Sequence, residues 1–592
     1  MFAHAYLNLK SERKARIKSP VIVLGINNMH DASAAIVMDG KVVAAAEEER
    51  FSRHKHHIGF PASAIRYCLD EAGITIKDLD AVALSWRPWV LKTRIFNALK
   101  SASFSKRAFK AKANRGMGQM GNEWYQLFTM RRLIERQFGK ANFRLHYIDH
   151  HLCHAVSAFY VSPFEKAAAL TVDGAGEEDT TVFWTCDGTE IKRLASIKIP
   201  HSLGQFYAAI TGFLGFKVQS DEYKVMGMAS YGKPTFVDFF RNEVFDFRKD
   251  GTFRVNTRFL DYHLARQGMF LKETIQLLGK NRLPDEEITN HHMDIAKSAQ
   301  IVLEEVLIHL VNHLHRETRS DTLCLAGGVA LNCVANGKLL DNMPFRQIFI
   351  QPAAGDAGTS MGAALHVYHR YTRKPRRYQM KDAYLGPSYS NQRCIDTLNE
   401  FNLSYKELTR EELCSRIATF LSEGKLIFWF QGRMEWGPRA LGNRSLLADP
   451  RRAEIRDMIN LKVKQRELFR PFAPSVLEEK SYSYFGNPIP SPFMLFAFKV
   501  NPDRRKEIPA VTHVDGTARP QTVSKEANPL YWNLIKEFEN RTGVPVLLNT
   551  SFNVQEPIVC SPKDAVACFL KTKVDYLVLN NLLIEQPSEA PL

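Results

Sequence analysis

Two stretches of the chain carry the same alternation of apolar and polar positions. Val21 to Glu49, VIVLGINNMHDASAAIVMDGKVVAAAEEE, predicts an apolar strand, a polar turn, a second strand, an Asp39-Gly40 hairpin and a third strand. Lys166 to Lys198 repeats it: KAAALTVDGAG is a strand with its polar turn, DTTVFWTCDG a second strand ending in Asp187-Gly188, and TEIKRLASIK a third. Helical sequence follows each unit, so the pattern predicts a duplicated α/β fold with a ligand between its halves. Thr322 to Lys338, TLCLAGGVALNCVANGK, predicts a further strand that runs into Gly327-Gly328 and then a helix. Glycines there let backbone amides approach an anion, and the helix N-terminus favours one. After the strand Gln347 to Ile350, QPAAGDAGTSMGAA leads into a small-residue helix, where Asp356 either holds a metal or caps the helix.

At 592 residues the chain has room for two to four domains. Its 45% apolar and 24% charged residues exclude a disordered or coiled-coil chain. No apolar run reaches the roughly 18 residues of a membrane helix, and Met1 to Pro20 carries Lys10, Arg13, Lys14, Arg16 and Lys18 without an apolar signal core, so a cytoplasmic protein is expected. The nine cysteines are scattered, odd in number and without a Cys-x-x-Cys pair, which argues for reduced, buried thiols. Of the net charge of +16, about +11 falls between Trp86 and Lys140, where basic residues outnumber the lone acids Glu123 and Glu135. Trp86, Trp89, Phe96, Phe104, Phe109, Trp124, Tyr125, Phe128 and Phe138 interleave with them. The segment reads as a helical lid with a solvated basic face in preference to a nucleic-acid platform.

YIDHHLCHAVSAFYVSPF, from Tyr147, places His150 and His154 four residues apart, on one face of a helix, with His151 pointing elsewhere. Asp173 ends the first strand of the second repeat and Asp356 follows a later strand, so a duplicated fold brings both carboxylates within range of the pair. Such a mixed nitrogen and oxygen set suits Fe(II), Zn(II) or Mn(II) better than calcium.

The strand grammar is similar to that of the actin, sugar-kinase and heat-shock ATPase superfamily. A more specific resemblance is carried by GINNMHDASAAIVMDGKVVAAAEEERFSRHKH, HHLCHA, VDGAGE, DEYKVMGMASYG, AGGVALN, PAAGDAGTSMGAA, GRMEWGPRALGNRS and LLNTSFN. Together these resemble the O-carbamoyltransferases of the nodulation-protein-U type from Val21 to about Glu585. The basic segment 86 to 140 carries no recognised motif. The resemblance implies an actin-like (sugar-kinase-like) transfer domain over 1 to 380, with that segment as an insert, and a YrdC-like α/β domain over 381 to 592. It also implies a two-step reaction. The YrdC-like domain makes carbamoyl-adenylate from carbamoyl phosphate and ATP, with Mg(II) accompanying the nucleotide. The first domain then passes the carbamoyl group to a hydroxyl and releases AMP.

Matching motif positions imply Arg439, Lys464, Arg470, Arg519, Asn549 and Ser551 at the carbamoyl-phosphate and ATP site, where several anions need fixed cations. Arg433 and Arg444 remain unassigned. Gly327, Gly328 and Asn332 are expected to hold the adenylate. His150, His154, Asp173 and Asp356 are the implied metal ligands, with Fe(II) favoured by the resemblance. His30 is the leading base, with orientation of the acceptor as the competing role, and Asp221 is a second candidate for orienting base or acceptor. The acceptor expected is a small hydroxylated metabolite: an aminoglycoside, a polyketide, a sugar or a guanidinium alkaloid of the saxitoxin type. No membrane or nucleic-acid partner is expected, and a homodimer is the base-rate expectation. The alternative is a tRNA threonylcarbamoylation enzyme, which would use threonine and bicarbonate and bind tRNA with strong salt dependence.

Overall fold

The computed structural model describes residues 20 to 90, 119 to 260, 272 to 486 and 489 to 587. In the first repeat, β1 (Ile22–Asn27), β2 (Ser33–Met38) and β3 (Lys41–Glu47) form an antiparallel meander, and β4 (Ala81–Leu84) and β5 (Arg144–Tyr147) add parallel to β1 in the order β3-β2-β1-β4-β5. The β2–β3 hairpin turns at Asp39 and Gly40, both with positive φ, which matches the right-handed twist of the strands.

The second repeat builds the same sheet from β6 (Lys166–Val172), β7 (Asp179–Asp187) and β8 (Glu190–Lys198). After the short hairpin of β9 (Phe245–Phe247) and β10 (Phe253–Val255), β11 (Thr322–Ala326) and β12 (Gln347–Ile350) add parallel to β6, giving the order β8-β7-β6-β11-β12. Two sheets of one topology make the N-terminal part a duplicated α/β fold.

Two helices between these sheets set the site. The helix Gly358–Thr372 lies on β1, and the helix His150–Phe159 lies on β6 and β11 and packs against it. Small residues permit this approach: a Cβ on Gly25 would stand 1.8 Å from the Ser360 carbonyl oxygen, and one on Gly362 would stand 1.9 Å from that of Cys153. The MGAA of the sequence is therefore a packing surface.

The helix Gln119–Phe138 buries Trp124, Leu127, Met130 and Ile134 with Ile65 and Cys68 over the outer face of the first sheet. The described part of the insert is a helix with a solvated basic face, Arg132, Arg136 and, just beyond its end, Lys140 being exposed, and it also exposes Tyr125 and Phe128 at 63% and 59%. Residues 91 to 118 of that expectation lie outside the described residues.

An eight-stranded mixed sheet forms the C-terminal part. Its centre pairs Arg444–Ala448 and Ala473–Leu477 with Val546–Ser551, and Asn549 sits opposite both Leu447 and Ala473. Residues 373 to 390 have no regular structure and stitch the parts together. Met380 donates its amide to Val161, Ala45 donates to Leu385, and Trp436 donates to Ala383. One apolar core runs from Val21 to Ile584 through all three sheets, and all nine cysteines are free and buried.

Candidate functional site

Asp149 caps the helix His150–Phe159 by accepting the Leu152 amide at 2.9 Å, and Arg87 ties it to Glu177. One helical turn brings the Nε2 atoms of His150 and His154 to 3.1 Å. Asp173, at the end of β6, and Asp356, before the helix Gly358–Thr372, reach them from opposite sides. His150 Nε2 lies 3.7 Å from Asp173 Oδ2 and 3.6 Å from Asp356 Oδ1, and His154 Nε2 lies 3.8 Å from the latter. Donor atoms of all four residues fall within 4.8 Å of one another. Two imidazole nitrogens and two carboxylates converging on one point, in a largely buried setting, fit a divalent transition ion better than calcium. His151 turns away to Thr171 Oγ1 and the Asp179 carbonyl. The GAG of the second repeat makes room: a Cβ on Gly176 would meet the rings of His151 and His150 at 2.8 and 2.9 Å.

The charges in this cluster oppose one another. Burial and Asp173 push the Asp356 carboxyl up to about 7. Burial also works against ionised Asp173, but His150, His154 and His151 hold its carboxyl far below the usual range. Burial works against protonated His150, yet Asp356 and Asp173 raise its pKa, while burial and His150 drive that of His154 well down.

The expected adenylate ligands sit differently. The Gly327 amide donates to the Ala354 carbonyl at 2.8 Å, and the Gly328 amide donates to Asp173 Oδ1 at 2.9 Å. Neither amide is free for a phosphate. Gly327 (φ +95°) instead permits a close approach, since a Cβ would stand 2.2 Å from the Val172 carbonyl oxygen. Asn332 caps the helix Cys333–Asn342 through the Ala335 amide and is paired with Gln300, though it borders the cavity.

His30 lies in the β1–β2 turn, with Nδ1 3.2 Å from Asp31 Oδ2. His56 Nδ1 meets the other oxygen at 2.8 Å, and the two rings stack at 5.1 Å. Burial opposes the Asp31 charge, but His30 and His56 hold its carboxyl well below the carboxylate range. Asp221 lines the same cavity, accepts the Lys217 amide and pairs with Lys224 at 3.3 Å, and the carboxylate beside His30 is Asp31. That neighbour in sequence was available, but His56, 25 positions beyond Asp31, was visible only in the fold.

Arg439, Lys464, Arg470, Arg519, Asn549 and Ser551 all line one region, together with Arg466, which no motif singled out. Its only sequence signal was its position between Lys464 and Arg470. Lys464 is buried, and its Nζ donates to the Asn553 carbonyl at 2.7 Å, to Asn553 Oδ1 at 2.8 Å and to the Ser551 carbonyl. Burial, then Arg466, push its amine well below the ordinary range. Burial and Arg519 lower Arg439 to about 9, and burial and Arg470 do the same to Arg466. Nε of Arg439 and Arg519 has no hydrogen-bond partner among the described residues. Asn549 donates to Ser475 Oγ and Gln521 Oε1, leaving its Oδ1 without a partner. Crowded cations with unused donors are what a polyanion site requires. Arg444, by contrast, is buried on Phe430 and donates to the Gln431, Gly432, Asn443 and Pro387 carbonyls, and Arg433 reaches Val43 and Leu385. Both are structural.

One cavity of about 1850 Å³ is lined by His30, Asp173 and Asp356 as well as by the cation cluster. The cavity thus brings carboxylates of the duplicated α/β fold and cations of the eight-stranded sheet to one space, the arrangement of a group-transfer enzyme. Comparison with known proteins supplies the family. The carbamoyltransferase N-terminus model matches residues 22 to 365 and the carbamoyltransferase C-terminus model matches 418 to 586. Relatives include sll1178 of Synechocystis sp., 43% identical over 96% of this chain and 97% of its own length, and nodulation protein NolNO of Sinorhizobium fredii, 40% identical over 95% and 80%. Nodulation protein U of Rhizobium tropici is 27% identical over 96% and 97%. The chain belongs to this carbamoyltransferase family, and it is a carbamoyltransferase. Among the described residues, no helix is long and apolar enough to cross a membrane.

Proposed function

We propose that this protein O-carbamoylates a small hydroxylated metabolite in two steps. Carbamoyl phosphate is cleaved by water to carbamate and phosphate at the cation cluster. The carbamate oxygen attacks the α-phosphorus of ATP, forming carbamoyl-adenylate and expelling pyrophosphate. The acceptor oxygen then attacks the carbamoyl carbon, the bond to the adenylate oxygen breaks, and AMP leaves.

The shared cavity carries this reading, since a water-labile intermediate gains from having both sites on one space. Arg439, Lys464, Arg466, Arg470 and Arg519 neutralise the phosphates; Asn549 and Ser551 orient them. His30, held through Nδ1 by Asp31, offers Nε2 to the acceptor hydroxyl and takes its proton. His150, His154, Asp173 and Asp356 would hold a divalent ion, Fe(II) on the family resemblance, which as a Lewis acid would polarise the carbamoyl carbonyl or neutralise the adenylate phosphate. Trp86, Trp124, Tyr125 and Phe128 wall the cavity and give the acceptor an aromatic surface.

Mass spectrometry of the full chain with ATP and carbamoyl phosphate tests the first step: pyrophosphate and the adenylate form only with both. Cleavage of ATP that requires threonine and bicarbonate instead would move the protein to tRNA modification. With an acceptor found by screening hydroxylated metabolites, His30→Asn spares adenylate formation and lowers transfer by about 10² to 10⁴-fold; retained transfer removes His30 from the chemistry.

A further inference from the structure

Gly437 lies where the N-terminal part meets the eight-stranded sheet, and both of its backbone polar groups are taken from across that junction. Its amide donates to Glu47 Oε1 at 2.9 Å, and its carbonyl accepts from Arg50 Nη2 at 2.9 Å. Glu47 and Arg50 are both buried; they meet at 3.5 Å, and Glu49 steadies Arg50 at 2.9 Å. On its other side Gly437 (φ +105°) rests against the β12 turn, since a Cβ would stand 2.9 Å from the Pro352 carbonyl oxygen. Within this motif Glu435 Oε1 accepts the amides of Leu441, Asn443 and Arg444, so the turn is held from inside as well. Two residues beyond Gly437 stands Arg439, and four beyond Pro352 stands Asp356.

A buried ion pair is weak support for stability, because desolvation offsets much of its attraction, but it enforces geometry when both partners also bond the backbone. Here the backbone belongs to the other part of the molecule. We propose that Glu47 and Arg50 are positioning residues for the anion site: they set the Gly437 turn, and through it Arg439, from the far side of the junction. This rests on the proposed role of Arg439 as an anion ligand. The first sheet, which bears His30, thereby shapes the site that makes the intermediate, and the turn before Asp356 is registered to the same peptide.

Calorimetric binding of pyrophosphate to the full chain tests this without an acceptor. Glu47→Gln and Arg50→Lys each weaken binding by about tenfold, toward the lower end of the range for coupling between sites, while the melting temperature stays within a few degrees. Gly437→Ala, which leaves the ion pair intact but forces the turn off Pro352, weakens it similarly and serves if the charge variants do not fold. Tyr67→Phe is the control: the Tyr67 hydroxyl donates to the Leu385 carbonyl at 2.7 Å across the same junction, away from Glu47, Arg50 and Gly437, and its loss leaves pyrophosphate binding unchanged. Unchanged binding in the first three variants, equal weakening in the control, or no pyrophosphate binding by the unaltered protein overturns the inference. Pyrophosphate binding without carbamoyl phosphate-dependent ATP cleavage would instead refute the proposed reaction and leave the coupling standing.

Discussion

Ion binding at the His150, His154, Asp173 and Asp356 cluster should depend steeply on pH near neutrality, for a reason legible in one residue. Burial and the adjacent Asp173 raise the Asp356 carboxyl to about 7. In the metal-free protein it therefore holds a proton over part of the neutral range, and an incoming cation must displace that proton. A raised acid favours its neutral form, so affinity rises with pH. Between pH 6 and pH 8 the ionised fraction grows about tenfold, which makes binding about tenfold tighter, or ~1.4 kcal/mol. His150, whose pKa the two carboxylates raise despite burial, must also lose its proton and steepens the dependence. The assay is competition for Zn(II) or Mn(II) against a chromogenic chelator from pH 6 to 8, with native mass spectrometry giving the stoichiometry. Asp356→Asn removes the competing proton and relieves His150 of a neighbouring charge, so the slope flattens as the affinity at pH 8 falls. Affinity that does not change between pH 6 and 8, or an unaltered slope in Asp356→Asn, refutes the reasoning.

Lys464 titrates in the opposite sense: burial and Arg466 lower its amine, and a bound polyanion favours the charged form. Pyrophosphate binding therefore takes up protons and weakens as pH rises; calorimetry in two buffers of different ionisation enthalpy reads the uptake, and Lys464→Met abolishes it, whereas a buffer-independent enthalpy in the unaltered protein contradicts the assignment. Gly327→Ala drives a Cβ to within 2.2 Å of the Val172 carbonyl oxygen at φ +95°. It should cost roughly 2 kcal/mol or more in denaturant unfolding and, because Val172 precedes Asp173, weaken ion binding as well; an unchanged midpoint and unchanged ion affinity would show that the backbone yields there.

Much of the fold was legible because its signals are local. Strand alternation and the Asp39-Gly40 and Asp187-Gly188 turns act over a few residues, and they announced the duplicated meanders. Helical periodicity alone put His150 and His154 on one face. The small residues of PAAGDAGTSMGAA signalled a close helix contact, although not that the contact would be with Gly25 and Cys153. Motif resemblance carried the cations as a list without showing how they crowd.

What the sequence by itself determined, then, was the set of elements and the chemistry available in each turn. Tertiary packing alone decided which turns face one another: Asp173 and Asp356 come from strands separated by β11, His56 joins Asp31, and Arg466 enters the cation cluster. It also decided where donors are spent, giving the Gly328 amide to Asp173 in place of a phosphate and the Gly437 amide to Glu47. The physical reason is range. Backbone propensity and periodicity act between near neighbours, whereas the worth of a charge or an amide depends on burial and on partners that only the packed sheets bring within a few ångströms.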